Sequence, residues 1–130
     1  MGYESMVLVM HRRELAHKGN EWAYAEELAR FRLGKMGDGF RRAFTTPVDF
    51  DLAVRPEPMD GKEPPENYYR VDRYGDICKY STVTDIAEYL NGSEICKEWY
   101  RAELFADYLR DIIRVTGAHG DELIVVHYGY

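Results

Sequence analysis

The amino-acid sequence predicts a single α+β domain, built from a mainly antiparallel sheet of about five to six strands and two helices in the second half of the chain. Strand-like stretches dominate the first part of the sequence, and helical periodicity is confined to a later region that precedes one last strand. Such segregation is typical of α+β proteins. The most apolar strand-like stretches are the first, "SMVLVM", and the last, "LIVV". Because the most apolar strands are the most buried, we expect these two to be neighbours in mid-sheet.

The length and composition are those of one folded unit. A chain of 130 residues with 45% hydrophobic residues is long enough to bury its own core. The sequence contains no internal repeat and no composition change that would mark a boundary. We therefore treat residues 1–130 as a single domain.

The early strands are predicted from two different patterns. Residues 5–10 are continuously apolar, as in a strand that is covered on both faces. Residues 27–33 alternate apolar side chains with arginines, which predicts a half-buried strand. The following stretch "RLGKMGDGF" matches neither of the glycine spacings that cradle phosphates, so we reject a nucleotide loop there. A single helical turn is expected over 40–44.

The middle of the chain contains two more strand signals and one long loop. Residues 47–54 alternate apolar residues with Asp49 and Asp51, which predicts a strand with a carboxylate-lined outer side. Residues 55–67 hold four of the five prolines, which predicts an exposed, stiffened loop. Residues 68–81 are expected to form a hairpin that turns at Tyr74-Gly75-Asp76.

Two helices are predicted after the hairpin. The first is predicted to begin within Thr82-Val83-Thr84-Asp85, which offers two capping hydroxyls and an acid for the first turn, and to stop at Asn91-Gly92. The second is predicted to be one long helix over 94–115, capped by Ser93 and ended by Gly117. Its core-facing stripe is spaced by three or four residues and consists of Ile95, Trp99, Ala102, Ala106, Leu109 and Ile113, with Phe105 and Ile112 flanking it.

The side of this long helix opposite its core stripe is the best candidate for a functional surface. A row of Tyr100, Leu104 and Tyr108 lies there, and the acids beside it are Glu103, Asp107 and Asp111. Large apolar residues ringed by charge and turned away from the core are typical of partner-binding surfaces. The alternative is that a loop or the preceding helix covers the row. The second candidate is the set of acids in the proline-rich loop, namely Glu57, Asp60, Glu63 and Glu66.

Charge and hydropathy exclude several classes of partner. The net charge of −6 argues against direct nucleic-acid binding, which needs clustered Lys and Arg to neutralise phosphates. No apolar run approaches the ~20 residues of a membrane helix. The first residues also lack the basic region of a signal peptide. We therefore expect a cytoplasmic protein without membrane contact, in which Cys78 and Cys96 are two buried thiols.

The residues with chemical potential do not form a recognisable motif. No metal-ligand spacing accompanies His11 or His127, so we expect no metal and no cofactor. Asp49 and Asp51 are expected to form a solvated strand face. A small hydrolase or nucleotide-binding protein that uses His127, Asp49 and Asp51 stays open as an alternative.

The two ends of the sequence resemble small proteins encoded by bacteriophages and prophages. The resemblance rests on "MGYES" running into the first strand and on "VVHYGY" at the finish, and the tyrosine-rich "YGD" hairpin fits it. It implies an accessory role in a phage, where many small acidic proteins bind host machinery, as the anti-CRISPR inhibitors of CRISPR nucleases do. It brings no established active site.

From these observations we expect a non-enzymatic protein that binds and inhibits or modulates a host protein. A CRISPR nuclease or another defence nuclease is the expected target, because an acidic, aromatic surface would cover a basic nucleic-acid channel. The first alternative is a self-associating protein that forms a homodimer through the long helix.

Overall fold

The protein is described by a computed structural model that covers residues 4–14, 22–52, 68–118 and 122–130. The strands in these ranges are β1 (Ser5–Glu14), β2 (Trp22–Gly34), β3 (Thr46–Pro47), β4 (Lys79–Thr82) and β5 (Leu123–Gly129). The helices are α1 (Asp38–Arg41), α2 (Val83–Leu90), α3 (Ser93–Glu98) and α4 (Ala102–Thr116). The α+β fold class is confirmed. The predicted proline-rich loop 55–67, with its four acids, lies outside the described residues.

The described strands form one five-stranded antiparallel sheet in the order β2-β1-β5-β4-β3. The first and last strands pair in the interior of this sheet, from Ser5 opposite Gly129 to His11 opposite Leu123. Every residue of β5 is buried. The prediction that the two most apolar strands lie side by side in mid-sheet is confirmed, because only an interior strand can bury both faces.

Two apolar layers cover the two faces of the sheet. On one face, Val7 and Val9 of β1 and Leu123 and Val125 of β5 pack under α2 and α4, where Ile86 and Leu109 are also fully buried. On the other face, Met6, Leu8, Met10 and Ile124 pack under the segment 48–52. Both faces of the sheet are therefore covered by core residues, and the helix-covered face carries the larger share.

The strand β2 is one edge of the sheet. It extends the predicted 27–33 strand in both directions, and its ladder with β1 contains three register irregularities. Charged side chains alternate along its outer face, with Arg30 and Arg32 exposed. Irregularities and charges of this kind blunt a free edge against pairing with another strand.

The prediction of a strand over 47–54 is wrong for the residues that the structure describes. The ladder with β4 ends at Pro47, and the chain then crosses the second face of the sheet. Val48, Phe50 and Leu52 are buried as the alternation predicted, but Val48 N–H donates to Cys78 O and Leu52 N–H donates to Tyr69 O, which are not rungs of one ladder. The alternation indicated which side chains are buried and not how the backbone pairs.

The predicted hairpin over 68–81 is present only in part. Its first arm is a 3₁₀ turn over Tyr68–Arg70 followed by a single bridge between Val71 and Ile77. The turn is held by the buried carboxylate of Asp72, which accepts from the backbone N–H of Tyr74 and of Asp76. Because a side chain and not a ladder organises this turn, the strand pattern before it does not become a strand.

The single long helix predicted over 94–115 is two helices. Trp99 adopts an extended backbone (φ −137°, ψ 104°) between α3 and α4, and its indole packs edge-on against Phe40 and tilted against Phe105. The break therefore places the largest aromatic ring of this region into the core. Spacing alone could not reveal it, because Trp99 fits the stripe of a continuous helix equally well.

The predicted helix ends are mostly confirmed. Thr82 Oγ1 accepts from Asp85 N–H at the start of α2, as expected of a capping hydroxyl. Gly117 ends α4 with φ +65°, a conformation in which glycine has no Cβ penalty. The prediction that Ser93 caps the next helix is wrong, because Gly92 is the capping residue of α3 and Ser93 is its first helical residue.

Candidate partner-binding surface

The helix α4 has two unlike faces. Ala102, Ala106 and Leu109 are fully buried against the core. On the other side, Tyr100 is 79% exposed and Leu104 is 69% exposed. We call Tyr100, Leu104 and Tyr108 the outer row. Within the described residues neither a loop nor α2 covers it, and the row is accessible apart from the partial packing of Tyr108.

The tyrosine at the far end of the outer row is anchored to the edge of the sheet. The ring of Tyr108 lies edge-on to Phe31 of β2, with centroids 5.3 Å apart, and it stacks near Phe105. Tyr108 is consequently only 39% exposed. Because its ring is fixed from below, the surface that it presents is pre-ordered, which lowers the entropy cost of binding.

The acids beside the outer row are largely paired with arginines of the same helix. Asp107 Oδ1 accepts from Arg110 at 3.1 Å, and Asp111 accepts from Arg114. Both are exposed pairs three residues apart. Acidic and basic side chains therefore alternate beside the outer row, and this rim is less acidic than the sequence pattern suggested.

A cleft of mixed character opens at the start of the outer row, where α3 and α4 meet. It has a volume of about 340 Å³ and lies between the end of β2 and the break at Trp99. Its apolar lining is Leu33, Met36, Phe40, Ile95 and Trp99, and Tyr100 forms one wall. Lys35, Glu98 and Arg101 bring charge to its rim. A volume of this size admits one or two side chains of a partner.

Val115 belongs to the same exposed side, although the sequence analysis did not select it. It is 85% exposed in the last turn of α4. The signal was available, because Val115 follows Tyr108 by seven residues, which is two helical turns. The predicted row ended at Tyr108 and therefore did not include Val115.

The histidine at the end of β5 is a buried structural residue. His127 Nε2 lies 2.8 Å from Ser5 Oγ, and its ring packs against Phe44 at 5.3 Å and Phe40 at 6.2 Å. Burial, with a smaller contribution from the charge of Arg41, lowers the pKa of His127 to about 4. A serine and a neutral histidine at this distance have the geometry of a nucleophile and its base.

Access decides against catalysis by this pair. Ser5 is 0% exposed, so no substrate atom reaches its hydroxyl without displacement of the core. The cleft beside His127, about 650 Å³, is lined by charges of both signs that include Asp38, Arg42, Asp76 and Lys79. This mixture does not single out one class of ligand.

The structure does not bring His127 together with the two aspartates of the hydrolase alternative. His127 faces the helix-covered side of the sheet, whereas Asp49 and Asp51 belong to the segment on the opposite side. Both aspartates are exposed, and Asp51 lies 3.6 Å from the guanidinium of Arg70. The sheet separates the candidate base from the candidate acids.

The remaining candidate residues are placed as structural groups. His11 Nε2 lies 3.1 Å from Glu122 Oε2, and the antiparallel register puts it at the other end of the β1–β5 pair from His127. In the described ranges, no three His, Cys, Asp or Glu residues are grouped to hold a metal ion. Cys78 is buried, and the side chain of Cys96 lies outside the described set.

Comparison with known proteins adds no relative to this picture. No protein-family model, curated protein or solved structure matches the chain. In the part of the chain that the structure describes, no helix has both the length and the apolar character to cross a membrane. The outer row and the cleft beside it are therefore the features that indicate a function.

Proposed function

We propose that this protein is a protein-binding module that acts through the outer row. The observation that carries the proposal is the contrast between the two faces of α4. Ala102, Ala106 and Leu109 on its core face are fully buried, yet Leu104, Tyr108 and the preceding Tyr100 remain on the surface beside a cleft. A cluster of large apolar side chains at one place, and not scattered singly, is the mark of an interaction site.

The residue types suit the task. Tyrosine is among the residues that contribute most to protein interfaces, because it buries a large apolar ring and keeps a hydroxyl for hydrogen bonding. Burial of apolar surface contributes about 25 cal/mol per Å². The cleft at Trp99 offers a seat for one anchoring side chain of the partner.

The finer proposal is that the partner is a host protein, and specifically a nuclease of a defence system that the module inhibits. Two observations support it, namely the resemblance of the chain ends to phage proteins and the net charge of −6. The protein surfaces that guide nucleic acid are basic, so an acidic protein is attracted to them and competes with phosphates.

The proposal is tested by binding to purified CRISPR effector nucleases of the candidate host. We expect the wild type to bind one of them and to slow its DNA cleavage. Replacement of Tyr100 and Leu104 together by alanine is expected to weaken binding by 10-fold or more, which is roughly the loss of one interface hot spot. Tyr69→Ala is the matched control, because Tyr69 is also exposed and lies outside the row.

Tyr69→Ala is expected to bind as the wild type does, so this control separates an effect specific to the outer row from the general effect of losing an exposed tyrosine. Equal affinities for the wild type and the Tyr100→Ala, Leu104→Ala double variant would remove the outer row from the account. Binding without any effect on cleavage would leave a binding module but overturn the inhibitor.

A further inference from the structure

Four residues of α4 form a seam that is wider than the outer row. Leu104, Tyr108, Asp111 and Val115 are spaced by four, three and four residues. At about 100° per residue they fall within roughly 60° of one another around the helix axis. All four are exposed, and Leu109 on the far side is fully buried. We call these four residues the α4 seam.

The spacing of the α4 seam is that of a helix that packs along another helix. A repeat of four and three residues keeps side chains on the side that faces a partner helix. An isolated helix of 15 residues would be marginal in water. Here α4 is already held by its core face, so the seam needs no help from a partner to stay folded.

The charges beside the α4 seam are self-complementary when two copies run antiparallel. In that register, Leu104 of one copy lies opposite Val115 of the other, and Tyr108 lies opposite Asp111. The flanking residues that then face each other across the pair are Asp107 and Arg114, an acid opposite a base, and the interchain pair exchanges with the exposed pairs that Asp107 makes with Arg110 and Arg114 makes with Asp111 in each copy. Twofold symmetry repeats each of these pairings, so every contact is made twice.

The opposite orientation lacks this match. In a parallel pair, Asp107 would face the position that Ile112 occupies, and no charge of opposite sign would meet it. A parallel pair would also place Asp111 against Asp111 in the middle of the seam. The antiparallel register instead gives this carboxylate the hydroxyl of Tyr108 as a donor.

We propose that the α4 seam docks against the same seam of a second copy of this chain, as an antiparallel twofold pair. This inference rests on the proposed role of the outer face of α4, and because Leu104 and Tyr108 belong to both surfaces, a second copy and the nuclease compete for them. The edge strand β2 lies beside the seam but contributes no ladder pairing, because its irregular register and its charges disfavour a strand partner.

The dimer is weak, because three apolar side chains per copy bury much less than the ~800 Å² per partner of a standard stable interface. We expect dissociation at roughly micromolar concentrations. Tyr100 lies before α4 and beyond the end of the paired segment. The cleft at Trp99 therefore stays open in the dimer.

Sedimentation equilibrium of two charge-reversed variants, alone and mixed, tests this pairing. Asp107→Arg sets arginine against Arg114 of the other copy, and Arg114→Asp sets aspartate against Asp107. Each variant alone is expected to dimerise about 10-fold more weakly than the wild type. An equimolar mixture is expected to recover wild-type association, because both interchain pairs are then restored in reversed form.

Two further variants keep the test specific. Glu88→Arg reverses an exposed charge on α2 away from the seam and is expected to leave association unchanged. Val115→Asp places a carboxylate in the seam and is expected to abolish association at every accessible concentration. Circular dichroism checks that each variant keeps the wild-type helix content.

The outcomes separate this inference from the proposed function. A wild type that is monomeric at all concentrations overturns the dimer. A wild-type dimer whose charge-reversed variants fail to recover on mixing overturns the antiparallel register. Because Tyr100 lies outside the seam and Val115 outside the outer row, Tyr100→Ala should weaken nuclease binding and leave dimerisation unchanged. Val115→Asp should abolish dimerisation and leave nuclease binding undiminished.

Discussion

Ser5 Oγ and His127 Nε2 lie 2.8 Å apart in the interior of the domain, one near the start of β1 and the other near the end of β5. The pair joins the two interior strands where the rings of Phe40 and Phe44 close the core. In this buried position the two side chains satisfy each other's hydrogen-bonding groups, so the pair contributes to stability and not to catalysis.

The stability of the protein should depend on the protonation of His127. Burial lowers its pKa from 6.5 to about 4, so the folded state prefers the neutral ring. The contribution is fully present above pH 6.5 and is lost as the pH falls towards 4, because the unfolded chain takes up the proton first. The free energy of unfolding should lose roughly 3 kcal/mol over this window from His127 alone.

Denaturant unfolding at several pH values measures this dependence. His127→Gln serves as the reference, since it retains the acids that also titrate. The difference between the two pH profiles is expected to be confined to the range from 6.5 to 4. Parallel profiles would show that the ring titrates normally in the folded protein.

Alanine substitutions on the two faces of α4 should differ in their effect on the free energy of unfolding. Leu109→Ala removes a fully buried side chain and is expected to lower the free energy of unfolding by about 2–5 kcal/mol. Leu104→Ala is expected to change it by less than about 0.5 kcal/mol. Urea unfolding at one low protein concentration gives both values. A large loss for Leu104→Ala would mean that the residue is covered.

The glycine at the end of α4 should resist substitution. Gly117 holds φ +65° and donates its N–H to Ile113 O. Gly117→Ala is expected to cost about 1 kcal/mol, and Gly117→Asn less, because asparagine tolerates this conformation better. Thermal unfolding of the two variants gives the order of their stabilities. A Gly117→Ala variant that is as stable as Gly117→Asn, or more stable, would contradict the left-handed cap.

The thiol of Cys78 should be inert while the protein is folded. Burial, with further contributions from Asp72 and Asp76, raises its pKa far above the ordinary range. In a Cys96→Ser background, a disulfide reagent at pH 8 is expected to modify Cys78 only as fast as the protein opens. Modification at the rate of a free thiol would place Cys78 at the surface.

Much of the fold follows from local patterns. The continuous apolar runs of β1 and β5 predicted their central position, and the alternation in β2 and around Phe50 predicted which side chains are buried. The alternation around Phe50 did not predict backbone pairing, because a segment that lies across a sheet face buries alternate residues just as a strand does. The break at Trp99 was also invisible, because its spacing continues the helical stripe.

The surface was predicted better than the interior polar contacts. Leu104 is as exposed as its helical position indicated, since α4 packs through one face only, and Tyr100 is exposed in the turn before α4, although the helix predicted through it is interrupted there. The contact between Ser5 and His127 joins residues 122 positions apart and depends on strand register. That register cannot be predicted from the residue types alone, because it requires knowledge of which strands are neighbours in the sheet.

The central claim is that the outer face of α4 is an interaction surface, and the methyl resonances of Leu104 test it most directly. They are followed by NMR while the protein is concentrated and, separately, while a candidate nuclease is added. The account predicts that the Leu104 methyl resonances shift and that those of the buried Leu109 do not. Leu104 resonances that stay fixed in both titrations would contradict it.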